Sequence, residues 1–402
     1  MAAAPRHAPI AAGAFLILAA GFLVLFIGGG ARFAVGLTLK PIVDGFGWGR
    51  SDIGLAVALF QTVSAAAMFV AGYLADRASP RLVLGGGLVV AGIGIGLMSV
   101  ISVPWHAHVV YGVIFALGNG AASLIPVSVM VTRAFPARTG FANAVVVSGM
   151  GVGQLVVIAT LAAVMLSVSW HSVYVWLGIA HLVLVPLIVF GLPSSTRKEA
   201  HAARPAIGIG MREAARTRQF WLLLAIYAIC GFDDFFVSTH VVAFAQDRGV
   251  DAFLAGNLLA LMGLTSLVGV VAAGAISDRS GPIWPTAASF IARVAVVGLI
   301  MVDQSTVSVA VFALVFGLTF MVTAPLTAVF VKESFGTRHL GALTGIITLV
   351  HQVFGGIGAY LGAALFDHAG NYQTAFALMF GFSILAVVLT FMLRRPQRAA
   401  AV

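Results

Sequence analysis

The sequence is poor in charge: of 402 residues only 9 % are Asp, Glu, Lys or Arg, while 61 % are hydrophobic and the mean hydropathy is +1.07. That excludes a water-soluble protein, which carries roughly a quarter of its residues charged, and it points to an integral membrane protein. One cysteine, Cys230, sits in an apolar run, so there is neither a disulfide framework nor a Cys-rich metal motif. No strand or Walker lysine accompanies the glycine clusters "GGG" (28–30 and 85–87), "GIGIG" (92–96) and "GGIG" (355–358). They read as helix-packing surfaces, not nucleotide loops, and no cofactor or metal is expected. No polar stretch is long enough to form a soluble domain, which argues against a receptor or scaffold. The formal charge of +9 resides in short Lys/Arg clusters between apolar runs. These are topology signals, and nucleic acid is not an expected partner.

What the chain does have is apolar runs of spanning length. Cutting at Pro, Gly and charge clusters predicts twelve helices near 12–38, 51–74, 81–102, 107–132, 141–166, 171–191, 219–246, 253–277, 284–302, 306–331, 341–366 and 373–393. The first stretch follows a basic residue, as a signal peptide would, but runs on without a convincing cleavage site and is read as a span. With both termini cytoplasmic, 17 of the 22 Lys and Arg residues fall on the cytoplasmic side, which is the positive-inside pattern of a bacterial inner-membrane protein.

The interval 193–218 carries six basic residues and divides the chain into bundles of six helices, 1–192 and 219–402. The two bundles repeat one another. "GYLADRASPR" (72–81) recurs as "GAISDRSGPI" (274–283), which sets Asp76 and Arg77 opposite Asp278 and Arg279 at an offset of 202; "VTRAFPAR" (131–138) matches "VKESFGTR" (331–338) at 200.

These duplicated loops, at helices two–three and eight–nine, resemble the signature of the major facilitator superfamily of secondary transporters. The resemblance covers the whole chain and implies an all-α fold of two pseudo-symmetric six-helix bundles, alternating access, no enzymatic activity and a monomer in the lipid bilayer. Within that superfamily "GGGARFAVGLTLKPIVDGFGWGRSDIGLAVAL" (28–59) and "VSTHVVAFAQDRG" (237–249) are similar to monocarboxylate porters and oxalate/formate antiporters. Better-known members of that group carry a substrate-binding cation in helix eight or eleven; helix eight here has none, and helix eleven offers only His351. Helix five, "ANAVVVSGMGVGQLVVIATL", lacks the Gly-Pro element of drug/proton antiporters.

Ionisable groups in spans persist mainly where they serve a cavity, a partner or a proton path. Of the 13 acids only Asp233 and Asp234, in "GFDDFFVSTH" (231–240), lie deep in a span, roughly 21 Å along helix seven. The offset of 202 carries Asp234 onto Arg32 of helix one, and the resemblance makes both helices line the central cavity. The expectation is therefore that Arg32 and Asp234 face one another there, with Arg32 binding an organic anion and Asp233 or Asp234 taking the coupled proton. A structural bridge between helices one and seven is the alternative. His240, two turns beyond Asp233, extends the candidate proton path or marks the outer rim. Asn119, His351 and Gln352 are candidate substrate ligands, each with helix packing as its alternative. Arg293 and His181 lie on helices that the family fold makes peripheral, so both read as structural. The resemblance implies that Asp76–Arg77 and Asp278–Arg279 are gating pairs at the cytoplasmic side. The functional expectation is a proton-coupled carrier of small, monocarboxylate-like organic anions; the alternative is a drug or cation efflux antiporter.

Overall fold

The computed structural model describes residues 12–77, 79–135, 139–192 and 208–393. Among the described residues twelve helices are long and apolar enough to cross a membrane: α1 (Gly13–Phe46), α2 (Arg50–Ala75), α3 (Pro80–Val100), α4 (Pro104–Ala134), α5 (Phe141–Val164), α6 (Trp170–Gly191), α7 (Arg218–Asp247), α8 (Ala252–Ser280), α9 (Ile283–Val302), α10 (Thr306–Phe335), α11 (Leu340–Ala369) and α12 (Gln373–Phe391). The expected spans are all present, with one end misplaced. Helix α1 runs through Pro41 to Phe46 instead of stopping near 38. Pro41 removes one backbone bond, but Ile42 and Val43 are buried beyond it and hold the chain helical. The extension carries Lys40 and Asp44 to the end of the bundle.

Two spans are broken at equivalent places. In α4 a π-helical turn, Val110–Phe115, precedes a break at Ala122–Ser123, and the chain resumes as Leu124–Ala134. In α10 the segments Thr306–Phe320 and Thr323–Phe335 are separated by Met321–Val322. Pro126 and Pro325 each fall in the first turn after the break, where a missing N–H costs least. Broken helices at matching positions of two repeats point to the central site of a carrier.

Helix α7 is the most enclosed span, buried over 83 % of its most apolar stretch. It packs closely on α11 because Gly231 has no side chain: a Cβ there would collide with the His351 carbonyl. Between the bundles, α1 crosses α7 where Gly36 meets the Ser238 carbonyl, α2 meets α11 at Gly54 and Ala363, and α5 meets α8 where Gln154 Nε2 donates to Leu259 O at 3.0 Å. All three seams lie towards the end that carries the α1–α2, α7–α8 and α11–α12 loops. Near the opposite end, Gly274 of α8 and Gly341 and Gly345 of α11 face open space. The bundles are thus joined across the end that carries the three seams.

Candidate functional site

The acidic pair on α7 is met by an arginine from α9. Arg293 is fully buried; its Nη2 lies 2.7 Å from Asp234 Oδ1 and its Nη1 3.6 Å from Asp233 Oδ2. The guanidinium also donates to Thr319, through Nε to the hydroxyl (3.0 Å) and Nη2 to the carbonyl (3.1 Å), beside the α10 break. The faces of Phe290 and Phe316 flank it, 5.3 and 4.6 Å from Cζ. Adjacent α7 residues diverge by about 100°, so the two carboxylates reach different neighbours. Asp234 Oδ2 receives His351 Nε2 (3.3 Å) and Cys230 Sγ (3.5 Å); Asp233 Oδ2 receives Ser383 Oγ (3.0 Å). Asp233 Oδ1 and Arg293 Nη1 are buried without a hydrogen-bond partner among the described residues. Two carboxylates thus compete for one guanidinium. With both carboxylates ionised the cluster is one positive charge short of neutral, and an unbalanced charge in hydrocarbon is costly.

This geometry corrects two expectations. Asp234 does not pair with Arg32, and Arg293 is not a remote, snorkelled side chain. The duplication equates Arg32 with Asp234 correctly in depth, since α1 and α7 cross at Gly36 and Ser238, themselves 202 positions apart. Yet each charged residue lies one turn before that crossing, and the two point differently: Arg32 into the cavity between the bundles, Asp234 back towards α9, α10 and α11. Arg293 reaches the centre by the length of its side chain, passing beneath the interrupted α10.

The cavity is lined by Arg32, Phe33, Val35, Val57, Phe60, Gln61, Tyr111, Phe235, Ser238 and Thr239. Arg32 is half-buried, and among the described residues its guanidinium has no carboxylate or hydrogen-bond partner. Its contacts are the rings of Phe33 and Phe235, 5.1 and 5.3 Å from Cζ. Tyr111, presented by the π-helical turn of α4, donates to the Arg32 carbonyl at 2.8 Å and fixes the backbone of α1 beside the cavity. Phe235 joins the two charged centres, touching Arg32 on one side and the His351 ring on the other (centroids 5.8 Å apart).

A third polar group clasps the closed end. Arg50 Nη2 lies 2.6 Å from Asp247 of the other bundle, its Nη1 donates to Tyr372 at 2.7 Å, and its Cζ sits 3.6 Å above the Phe366 ring. Asp367 accepts the backbone N–H groups of Arg50 and Ser51 (2.9 and 2.8 Å), capping α2 from across the seam. Lys40 bridges Asp44 (3.3 Å) and Asp247 (3.1 Å). His240 belongs here: its Nδ1 meets Tyr372 Oη at 3.0 Å and its Nε2 meets Ala359 O at 2.8 Å. Opposite charges at the ends of helices one, two, seven and eleven were the available signal for this clasp, and it was missed.

The remaining candidates are dispersed. Asn119 lies against the Gly28 carbonyl (3.5 Å), and Gln352 is buried beside His351; neither lines the cavity. Asp278 and Arg279 are exposed, Arg279 donating to Ala275 O, with no ion pair at either among the described residues. The side chains of Asp76 and Arg77 lie outside the described residues. His181 is buried, with Nδ1 2.8 Å from Leu177 O. Cys230, Asp234 and His351 bring three metal-ligating atoms within 4.8 Å of one another, but Arg293 on Asp234 sets a positive charge against any ion there.

A cavity between two repeated six-helix bundles clasped at one end is the arrangement of a membrane carrier. The sequence model of the Major Facilitator Superfamily matches residues 21–356 and 223–402, and the chain belongs to that family. It is 24 % identical to monocarboxylate transporter 13 of Rattus norvegicus over 335 residues, covering 82 % of this chain and 75 % of that one. It is 24 % identical to the oxalate:formate antiporter of Oxalobacter formigenes over 394 residues, covering 96 % and 92 %. The crystal structure of a mutant of the nucleoside transporter NupG superposes with a TM-score of 0.80 at 13 % identity, covering 95 % of this chain and all of that one, which speaks to fold alone.

Proposed function

We propose that the protein is a proton-coupled transporter of small, monocarboxylate-like organic anions, working as a monomer in a bacterial inner membrane with both termini cytoplasmic. The observation that carries this is the unpartnered Arg32 guanidinium in the central cavity, a permanently charged fork suited to a carboxylate. Two relatives whose names specify monocarboxylate and oxalate:formate transport support the substrate class. A cationic drug would meet Arg32 at close range, which weighs against the efflux alternative.

Coupling follows from charge balance. With both aspartates ionised, the α7 cluster carries one negative charge more than Arg293 offsets, and Arg32 supplies the compensating positive charge across Phe235. A bound anion neutralises Arg32 and leaves the surplus carboxylate uncompensated until a proton arrives. Half-buried His351, in contact with Asp234, is the side through which the proton reaches the pair. On this orientation the clasped end faces outward. His240, held in the clasp, couples closure to neither charge directly.

The test is Asp234→Asn in proteoliposomes: uptake driven by a pH gradient is abolished while anion counterflow persists, and Arg32→Gln loses anion binding. Gradient-driven uptake that survives Asp234→Asn overturns the coupling assignment; undiminished anion binding by Arg32→Gln overturns the substrate assignment.

A further inference from the structure

The cavity contains a second unmet group besides Arg32. Gln61 of α2 is 1 % exposed, lines the same space, and its Oε1 is buried without a donor among the described residues. A buried amide oxygen left unpaired is costly, and in a cavity wall it stands ready to accept a hydrogen bond from what the cavity takes up, water or ligand. The hydroxyls of Ser238 and Thr239 border the cavity, also without a hydrogen bond among the described residues. The rest of the lining is apolar or aromatic, chiefly Phe33, Phe60 and Phe235.

We infer that Gln61 reads a hydrogen-bond donor on the substrate, so that the carried anion is a hydroxy-monocarboxylate. Resting on the anion-carrier reading above, the assignment follows from what each wall can satisfy. Arg32 has N–H donors and needs one anionic acceptor. Gln61 Oε1 has lone pairs and needs one donor, which a carboxylate or a keto oxygen cannot supply and a hydroxyl can. The rings accept an apolar carbon body. A second carboxylate finds no further cation among the cavity-lining residues, so dicarboxylates are excluded by desolvation. A site built to bond a substrate hydroxyl rejects the analogue lacking it far more strongly than an apolar pocket rejects a missing methylene.

The experiment measures binding to the purified full-length protein in nanodiscs by calorimetry, using two matched sets that differ at one carbon: mandelate, phenylacetate and phenylglyoxylate; and lactate, propionate and pyruvate. In at least one set the hydroxy acid binds on the order of tenfold more tightly than both its deoxy and its keto analogue. Gln61→Leu reduces that ratio to about one. Equal binding of hydroxy and deoxy acids in both sets overturns the inference, as does a keto acid that matches the hydroxy acid, or a preference that survives Gln61→Leu. The wild-type comparison needs no variant to fold. Binding of all the acids without discrimination refutes the role of Gln61 alone, whereas binding of none refutes the anion-carrier reading with it.

Discussion

Replacing Arg293 by Met tests the charge cluster directly. The substitution removes the 2.7 Å pairing with Asp234, the 3.6 Å pairing with Asp233 and two bonds to Thr319, at a site where Arg293 and Asp233 have no exposed surface. Removing one partner of a buried ion pair costs about 3–5 kcal/mol, mostly because the remaining charge is stranded. That origin makes a specific prediction: adding Asp234→Asn, which removes the carboxylate held closest to Arg293 and returns the cluster to its parent net charge, restores more than half of the loss. What stays lost is the 3.6 Å pairing with Asp233 and the pair of Thr319 bonds, the latter each worth roughly 0.6 kcal/mol between membrane helices. Unfolding of the single and double variants in mixed micelles, followed by tryptophan fluorescence, measures both quantities and their coupling, for which about 2 kcal/mol is expected. An Arg293→Met protein within about 1 kcal/mol of the parent, or a double variant no more stable than the single one, refutes the view that this arginine compensates the acidic pair.

Two further substitutions probe the frame around the site. Asp247→Asn breaks the clasp at Arg50 and Lys40. Because Asp247 is 20 % exposed, the effect is discounted to about 1–2 kcal/mol, a roughly 5- to 30-fold shift towards opening at that end. A cysteine replacing Thr239 in a Cys230→Ser background reports this as faster labelling by an impermeant maleimide from the clasped side; an unchanged rate argues that Arg50–Asp247 does not hold the seam. Gly231→Ala sets a methyl group against the His351 carbonyl and is expected to destabilise the protein by about 1–3 kcal/mol, whereas Gly274→Ala, facing open space, stays within about 0.5 kcal/mol. Equal thermal shifts for the two variants contradict the close α7–α11 crossing.

Hydropathy made the twelve spans legible because lipid imposes length and apolarity on every one of them. The breaks in α4 and α10 were signalled only by Pro126 and Pro325, since a proline that closes a span and one that restarts it look alike in sequence. Which face of a span a charge occupies was not legible at all. Soluble helices betray their buried side by amphipathic periodicity, whereas these are apolar all round, so nothing in "SFIARVAVVG" says that Arg293 turns inward to α7 while its helix lies outside. Gln61 and Tyr111 escaped notice for the related reason that a single neutral polar residue in a span is equally at home in a helix contact.

The duplication carried more information than the pairing drawn from it. Symmetry-equivalent residues share depth, and Arg32 and Asp234 do sit at equal distance from the Gly36–Ser238 crossing. Contact requires in addition that both point across the axis, and here only Arg32 does. Had the two met, Arg293 would be left with Asp233 alone and every charge would be paired. The observed arrangement gives Arg293 to the acids and leaves Arg32 free, so that the cavity keeps a cation without an anion and the cluster keeps a carboxylate without a full partner. The two deficits are opposite in sign and separated by the ring of Phe235, the residue that follows Asp234 on α7. Their attraction acts through the low dielectric between them and not through a bridge, and it is therefore weakened by an anion at Arg32 with no contact having to break.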